Sequence, residues 1–318
     1  MVELSREVGA RFANMSFVCA CLVVCIHSGR FFGTVTSVAV PFFFLCSGQM
    51  LSRHVNEKGW YCRALRKRFY SVCVPYLIWC MIPVLIAFPF SVVADILAKR
   101  PFGTSVALIN QPLLVLGLLP NDMPLNTPLW YLRTLMIFVL ISPVINWLVR
   151  RLGLMWIGFL FGCELLSSFG VVPHYWGQQL FPITGILYFS IGWFLDFDGA
   201  HGTFLEKWSV IWAICIGMAL LLLGSTWTVL VIPPLMYVLW LAMPKTRFPD
   251  FLLSGTFLVF VMHMVVLNLF QIVFKRFDLP ILIEEVISWF GSISFILSLN
   301  HVLRRKFPCV VSFLCGGR

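Results

Sequence analysis

Long runs of apolar residues, separated by short polar segments, restrict the fold of this chain more than any other feature. Helices are required in such runs if they cross lipid, because an unpaired strand would leave its N–H and C=O groups without partners. Each run is close to or above the roughly 20 residues that a helix needs to cross about 30 Å of hydrocarbon. The ten runs are 12–29, 35–52, 69–90, 128–149, 152–171, 181–197, 208–226, 227–243, 251–274 and 281–302.

The amino-acid composition agrees with membrane insertion. Charged residues make up 11% of the 318-residue chain and hydrophobic residues 60%, against about 25% and about 45–50% in a soluble domain. So little charge cannot cover a water-facing surface, which excludes a disordered chain, a nucleic-acid-binding module and a secreted disulfide scaffold. The eleven cysteines form no CxxC pair, so buried thiols and no metal site are expected. We predict an all-α polytopic membrane protein with about ten transmembrane helices and one domain, residues 1–318.

The distribution of Lys and Arg predicts the orientation of the chain. If the N-terminus is cytoplasmic and all ten runs cross, 17 of the 23 Lys and Arg residues lie on the cytoplasmic side, five lie outside, and Arg133 lies within a helix. Cytoplasmic loops of membrane proteins carry such an excess. Both termini are therefore expected in the cytoplasm. The net charge of +10 is then a topology signal and does not indicate nucleic acid as a partner.

Four of the ionisable side chains that lie inside the predicted spans are candidates for a function, because burial of such groups in lipid is costly. By helical rise, His27 and His263 lie about 22 Å and about 18 Å from the cytoplasmic ends of their runs, and Arg133 about 8 Å below the outer surface. Glu164 is near the middle of its run. These depths are compatible with one polar chamber at or outside the midplane. The structural alternatives are hydrogen bonds between helices for the histidines, outward snorkelling for Arg133, and a protonated packing role for Glu164.

A basic segment precedes the third run. Residues 53–68 contain six cations, of which Arg63, Arg66, Lys67 and Arg68 are clustered at its end. Charge alone would make this segment a topology signal that contacts anionic lipid. The rigid guanidinium fork of arginine also suits phosphate oxygens. A phosphorylated cytoplasmic donor such as a coenzyme A thioester would therefore bind at these arginines.

Several blocks of the chain resemble the integral-membrane acyltransferase 3 family, which O-acylates bacterial surface polysaccharides and related glycans. The most specific is PLWYLRTLMIFVLISPVI at 128–145, and the resemblance runs through most of the chain. The other blocks are VVCIHSG at 23–29, VAVPFFFLCSGQML at 38–51, LRKRFYSVCVPYLIW at 65–79, FSIGWFL at 189–195, FLVFVMH at 257–263 and the ending FPCVVSFLCGGR at 307–318.

The resemblance implies an O-acyltransferase of the bacterial inner (cytoplasmic) membrane. It would transfer an acyl group, most often acetyl, from acyl-coenzyme A to a hydroxyl of a glycan or lipid-linked sugar. His27 matches the histidine that the family uses in catalysis, and we assign His263 and Arg133 to the same centre. The donor-binding residues are then Arg63, Arg66 and Arg68, and no metal is expected.

Two positions depart from the family pattern. Ser16 lies eleven residues before His27, where the family has Arg or Lys, and Ser71 lies three residues after Arg68, where a second basic residue is common. Both changes would weaken donor binding or activation. Two other functions therefore stay open: a transporter or flippase of a glycolipid or small solute, which would use the intramembrane His, Arg and Glu residues, and an inactive family relative that serves as a partner subunit.

Overall fold

A computed structural model describes residues 6–29, 33–97, 116–117, 124, 126–173, 175–176, 181–195, 228–274, 277 and 280–317, and most of these residues are helical. The α-helices are α1 (Arg6–Ser28), α2 (Ala39–Ser52), α3 (Trp60–Arg68), α4 (Val74–Leu97), α5 (Trp130–Leu140), α6 (Ser142–Leu152), α7 (Leu154–Ser168), α8 (Ile183–Phe194), α9 (Thr228–Ala242), α10 (Asp250–Leu253), α11 (Thr256–Phe274), α12 (Ile281–Lys306) and α13 (Pro308–Leu314). Short 3₁₀ turns precede α2 (Gly33–Val38) and α5 (Thr127–Leu129), and Tyr175–Trp176 pairs antiparallel with Phe181–Pro182 as β1 and β2.

The helices confirm the membrane class in part. Among the described residues, five helices are long and apolar enough to cross a membrane: Arg6–Ser28, Val35–Ser52, Trp60–Leu85, Thr256–Phe274 and Ile281–Lys306. The bent pair α5–α6 would be a sixth span, and α7, α8 and Leu230–Ala242 are shorter apolar helices. The predicted run at 208–226 and most of the segment 91–127 lie outside the described residues. Ten crossings and two cytoplasmic termini therefore stay predictions.

The third span begins earlier than its apolar run. Four of the six cations expected in a loop before residue 69 lie in α3, so Arg63–Arg68 belong to the first turns of the span. A π-helical turn, Phe69–Cys73, separates α3 from α4. Pro75 follows directly, and its ring would clash with the carbonyl of Ser71, four residues earlier, in a regular α-helix. The wider π turn separates these two groups.

The fourth apolar run is broken, although a single crossing over 128–149 was expected. Helices α5 and α6 are bent by 66°, with Ile141 at the junction in a non-helical conformation. Pro143 removes one backbone donor and clashes with the carbonyl of Val139, which ends the helix there. The hydroxyl of Ser142 donates to that same carbonyl at 2.7 Å.

Two glycines bring α2 and α8 into direct backbone contact. A Cβ added at Gly48 would lie 2.0 Å from the carbonyl oxygen of Phe189, and one added at Gly192 would lie 1.9 Å from that of Leu45. Any side chain at either position would force the helices apart. Small residues permit such close approach in membranes, where van der Waals packing is a main source of helix association. Gly48 in the block at 38–51 and Gly192 in the block at 189–195 therefore have a packing role.

Buried apolar side chains from most of the helices form one continuous cluster. Helix α1 packs in it against α2, α11 and α12. His27 lies in the last turn of α1, next to the chain segment that leads into α2. We call this end of the bundle the histidine end. The opposite end, where Arg63–Arg68 lie, is the basic end, and the charge distribution predicts that it faces the cytoplasm.

Candidate functional site

The two histidines selected from the sequence come together at the histidine end. The ring centroids of His27 and His263 are 5.2 Å apart, with 33° between the ring planes. His263 is fully buried in α11, whereas His27 is half-buried at the end of α1. A small molecule at this end therefore has access to His27 first, with His263 behind it.

A backbone hydrogen bond fixes the protonation pattern of His263. Its Nδ1 lies 3.2 Å from the carbonyl oxygen of Val259. Because a carbonyl only accepts, Nδ1 carries the proton and Nε2 of the neutral ring presents a lone pair. Nε2 is buried and has no hydrogen-bond partner among the residues that the structure describes. His263 can therefore accept a hydrogen bond from a neighbouring group without rearranging.

Helix α12 adds an acidic residue that the sequence reasoning missed. A Cβ placed on Gly29 would lie 2.4 Å from Oε1 of Glu285, so this carboxylate covers the backbone two residues after His27. The indole N–H of Trp289 donates to the carbonyl oxygen of Cys21 at 2.8 Å and fixes α12 against α1. The signal in the sequence was an acidic pair at the start of the apolar run 281–302.

A second missed residue fixes α5 beside the site. Asn126 is buried two residues before the PLW block. Its Nδ2 donates to the carbonyl oxygen of Val261 at 3.0 Å, and lies 3.4 Å from that of Trp79. These bonds hold the start of α5 against α11, two residues before His263. The signal for this residue in the sequence was a polar side chain two positions before the most specific block.

Aromatic rings lead from the histidine pair toward the middle of the bundle. Phe260 lies 6.4 Å from His263 and 5.6 Å from Tyr131, measured between ring centroids. The Tyr131 hydroxyl is 3.1 Å from the Ser47 hydroxyl and donates to the carbonyl oxygen of Phe43 at 3.2 Å. The Ser47 position in the second block therefore orients Tyr131.

Arg68 approaches the same tyrosine from the basic end. Its side chain is half-buried and close enough to Tyr131 for the two groups to interact electrostatically. The ring contacts run from Tyr131 through Phe260 to His263, and Arg68 lies on α3, which packs against the helix that carries Tyr131. The predicted depths of the residues in the membrane did not show this arrangement, because depth gives no information on which helix faces pack together.

The other two arginines of the basic run, the cluster of cations at Arg63–Arg68, face outward. Arg66 and Arg63 are exposed, and Arg63 donates to the Lys58 carbonyl oxygen at 2.8 Å and to Oε2 of Glu57 at 2.7 Å. The hydrogen bond from His54, together with the charge of Arg63, holds the pKa of the Glu57 carboxyl below its usual value. Arg63 therefore already has an anionic partner, and Arg68 is the most enclosed of the three predicted donor-binding arginines.

The hydrogen bonds described for Arg133 and Glu164 are to residues other than the two histidines. Arg133 is buried, and its Nη1 donates to the carbonyl oxygen of Gly117. Glu164 lines a separate cavity of about 310 Å³ between α2, α5, α7, α8 and α9, where Thr184 Oγ1 donates to its Oε1 at 2.5 Å. Of the four residues expected in one chamber, the two histidines are in contact, and Glu164 lines a cavity whose described lining includes neither histidine. A catalytic role for Arg133 stays a prediction.

The two departures from the family pattern have different surroundings. The hydroxyl of Ser16 donates to the carbonyl oxygen of Phe12 within α1 at 2.7 Å. Ser71 lies in the π turn and is covered by the C-terminal segment, where a Cβ on Gly316 would be 2.7 Å from the Ser71 Cα. The indole N–H of Trp79 also holds this segment, by donating to the Leu314 carbonyl oxygen at 3.0 Å. Residues after α13 therefore pack directly beside the span that begins with Arg68.

Replacing Gly316 by alanine is expected to displace this segment. Both Gly316 and Gly317 have positive φ, 66° and 80°, but only at 316 would a Cβ meet other atoms, those of Ser71 and Pro75. We expect maleimide to label the buried Cys315 at least about tenfold faster in Gly316→Ala, the ratio for a shift of 1.4 kcal/mol. Mass spectrometry would follow the labelling, with the exposed Cys309 as internal reference. Equal rates in Gly316→Ala and the control Gly317→Ala would contradict the packing.

No group of three or more His, Cys, Asp or Glu residues in the described part of the chain is arranged to bind a metal ion. The groups that the structure places at the histidine end are an imidazole base, a second imidazole acceptor and a nearby carboxylate. A neutral imidazole can take the proton of a hydroxyl group and return it to a leaving group. This arrangement is suited to transfer of a group onto a hydroxyl.

Comparison with known proteins agrees with this chemistry. The succinoglycan biosynthesis protein ExoH of Rhizobium meliloti (strain 1021) is 24% identical over an alignment of 318 positions, gaps included. The alignment covers 88% of this chain and 79% of ExoH. No solved structure matches the chain. The family model described as an acyltransferase domain, Acyl_transf_3, matches residues 15–306. This match includes both histidines, the basic run and nearly every described helix, and the chain therefore belongs to the acyltransferase 3 family of membrane proteins.

Proposed function

We propose that this protein transfers an acyl group, acetyl in the simplest case, from acyl-coenzyme A to a hydroxyl of a cell-surface glycan or lipid-linked sugar. The observation that carries the proposal is the contact between the rings of His27 and His263, 5.2 Å apart between centroids. Membership of an acyltransferase family supports the reaction class. The polysaccharide named for the relative ExoH supports a glycan acceptor.

In this proposal His27 is the general base. A sugar hydroxyl is a weak nucleophile, and neutral imidazole removes its proton as the oxygen attacks the thioester carbonyl carbon. The new C–O bond forms, the C–S bond breaks, and the imidazolium returns the proton to the leaving thiolate. Negative charge develops on the carbonyl oxygen during attack and requires a nearby donor or cation. Arg133 remains our candidate for that donor.

The donor would enter from the basic end. Arg68 and Arg66 would bind phosphate oxygens of coenzyme A, because arginine presents two parallel donors to such groups. The pantetheine arm, which is narrow and largely uncharged, would then run along Tyr131 and Phe260 toward the histidine pair. Those rings are in contact with each other, and Phe260 is in contact with His263. With a cytoplasmic donor and an outward-facing histidine end, the protein would function in the bacterial inner membrane.

The direct test is transfer by the purified protein in detergent or nanodiscs. Radiolabelled acetyl-coenzyme A and the host cell's own de-O-acylated surface glycan would be combined, and label in the glycan measured. We expect label to enter the glycan in the wild type. Transport of a solute or glycolipid across proteoliposomes, with no acyl transfer and no binding of acetyl-coenzyme A, would instead favour the transporter function.

A further inference from the structure

A partly open cavity lies at the histidine end, and neither His27 nor His263 is among its described lining residues. Its volume is about 310 Å³, near the lower limit of the about 300–1,000 Å³ typical of small-molecule sites. Phe44, Trp130 and Ile232 are among the residues that form its apolar wall. Trp130 is half-buried, so its ring lies at the edge of the space.

The polar side of this cavity is built around one buried carboxylate. Glu164 is 4% exposed and accepts a hydrogen bond from Thr184, which lines the cavity together with Ser37. Ser167 and Tyr188, one helical turn after Glu164 and Thr184, have buried hydroxyls without a hydrogen-bond partner among the described residues, although neither lines the cavity. Buried polar groups of this kind normally bind protein, ligand or water.

This combination of groups selects for an uncharged molecule with several hydroxyls. Carboxyl and hydroxyl oxygens accept hydrogen bonds from O–H donors, whereas an anion would meet no Lys or Arg among the described residues that line the cavity. The flat ring of Trp130 can cover the C–H face of a sugar ring. A single hexose unit has this chemistry.

The cavity is also coupled to the histidine pair through α5. Trp130 and Tyr131 are consecutive, and the ring of Phe44 contacts both, at centroid distances of 6.2 Å and 4.7 Å. Trp130 faces the cavity, while Tyr131 contacts Phe260 beside His263. An extended chain of sugars at this end would meet the two sites with different units.

We propose that this cavity binds one sugar ring of the acceptor glycan, a unit other than the one that receives the acyl group at His27. The inference rests on the acyl-transfer function proposed above and adds a specificity site to it. Glu164 and Thr184 bind hydroxyls of that ring, and Trp130 packs on its apolar face. The cavity therefore favours oligosaccharide acceptors over single sugars.

The test uses de-O-acylated fragments of the host cell's own surface glycan, one to four sugars long, and calorimetric titration of the purified protein. Glu164→Gln keeps the shape of the side chain but replaces the carboxyl group by an uncharged amide, to which hydrogen bonds are weaker. It is expected to weaken binding of the longer fragments by at least about tenfold, the lower range for a hydrogen bond to a charged group. Thr184→Val is nearly isosteric and should have a smaller effect in the same direction. Glu284→Gln is the matched control, since α12 contributes no residue to the cavity lining.

The outcomes separate this site from the reaction itself. Unchanged glycan affinity in Glu164→Gln, or tetramethylammonium bound more tightly than any fragment, would overturn the sugar site. In transfer assays the variant should raise KM for the longer acceptors and leave donor affinity unchanged. A wild type that binds glycan through Glu164 but transfers no acyl group would contradict the proposed reaction and leave the sugar site in place.

Discussion

Replacing His27 by alanine is expected to lower the rate of acyl transfer at saturating donor and acceptor by at least about 10²-fold, the low end for general acid–base catalysis. The half-buried imidazole is the first basic group that an acceptor meets at the histidine end, and alanine has no atom that can take the hydroxyl proton. Transfer of labelled acetyl groups by purified protein measures the effect. Added imidazole should restore part of the rate, because it supplies the missing base.

His263→Ala is expected to have the milder effect of the two. His263 is buried, and its ring lies 5.2 Å from that of His27 between centroids, so we expect it to position the base without contacting the acceptor. The matched control is His301→Ala, since this histidine is exposed near the end of α12 and should be replaceable without loss. Near-normal transfer in His27→Ala, with unchanged folding, would remove His27 from the mechanism.

Membrane insertion was predictable from the sequence because it depends on local properties. Apolar runs and sparse charge are properties of single segments, and the described spans α1, α2, α11 and α12 follow the predicted runs closely. The irregular turns and bends within the spans were harder to predict from the sequence, although their causes are local too. Pro143 and Pro75 were both visible in the sequence, but a proline inside an apolar run can kink, break or widen a membrane helix. Only the packed structure distinguishes the 66° bend after α5 from the π turn before α4.

The candidate site was only partly predictable, because depth in the membrane does not determine which faces of helices meet. His27 and His263 were selected by their cost in lipid, and their contact depends on how α1 packs against α11. Glu164 was selected by the same rule and lies in another cavity. Glu285 and Asn126 were missed because they lie at the ends of apolar runs, where polar residues are common. Their importance comes from contacts with segments far away in the sequence.

Arg68→Lys is expected to weaken binding of acetyl-coenzyme A by about one to two powers of ten. This range corresponds to the loss of a charge-assisted hydrogen bond, roughly 1.5–3 kcal/mol, because lysine keeps the charge but lacks the planar fork that binds two phosphate oxygens. Arg68 should have the largest effect of the basic run, since it is half-buried beside Tyr131. Arg66 is exposed and should rank second. Titration of purified wild type and variants with the donor measures the affinities.

The comparison separates donor binding from membrane orientation, which depends on the number of positive charges and not on their shape. If the basic run served only for orientation, Arg68→Lys would bind donor as the wild type does. Arg151→Lys is the matched control, because this exposed arginine ends α6 outside the basic run, and it should leave the affinity unchanged. Equal donor affinity in all these proteins would contradict a phosphate site at Arg68. Absence of donor binding even in the wild type would instead favour the transporter or the inactive partner subunit.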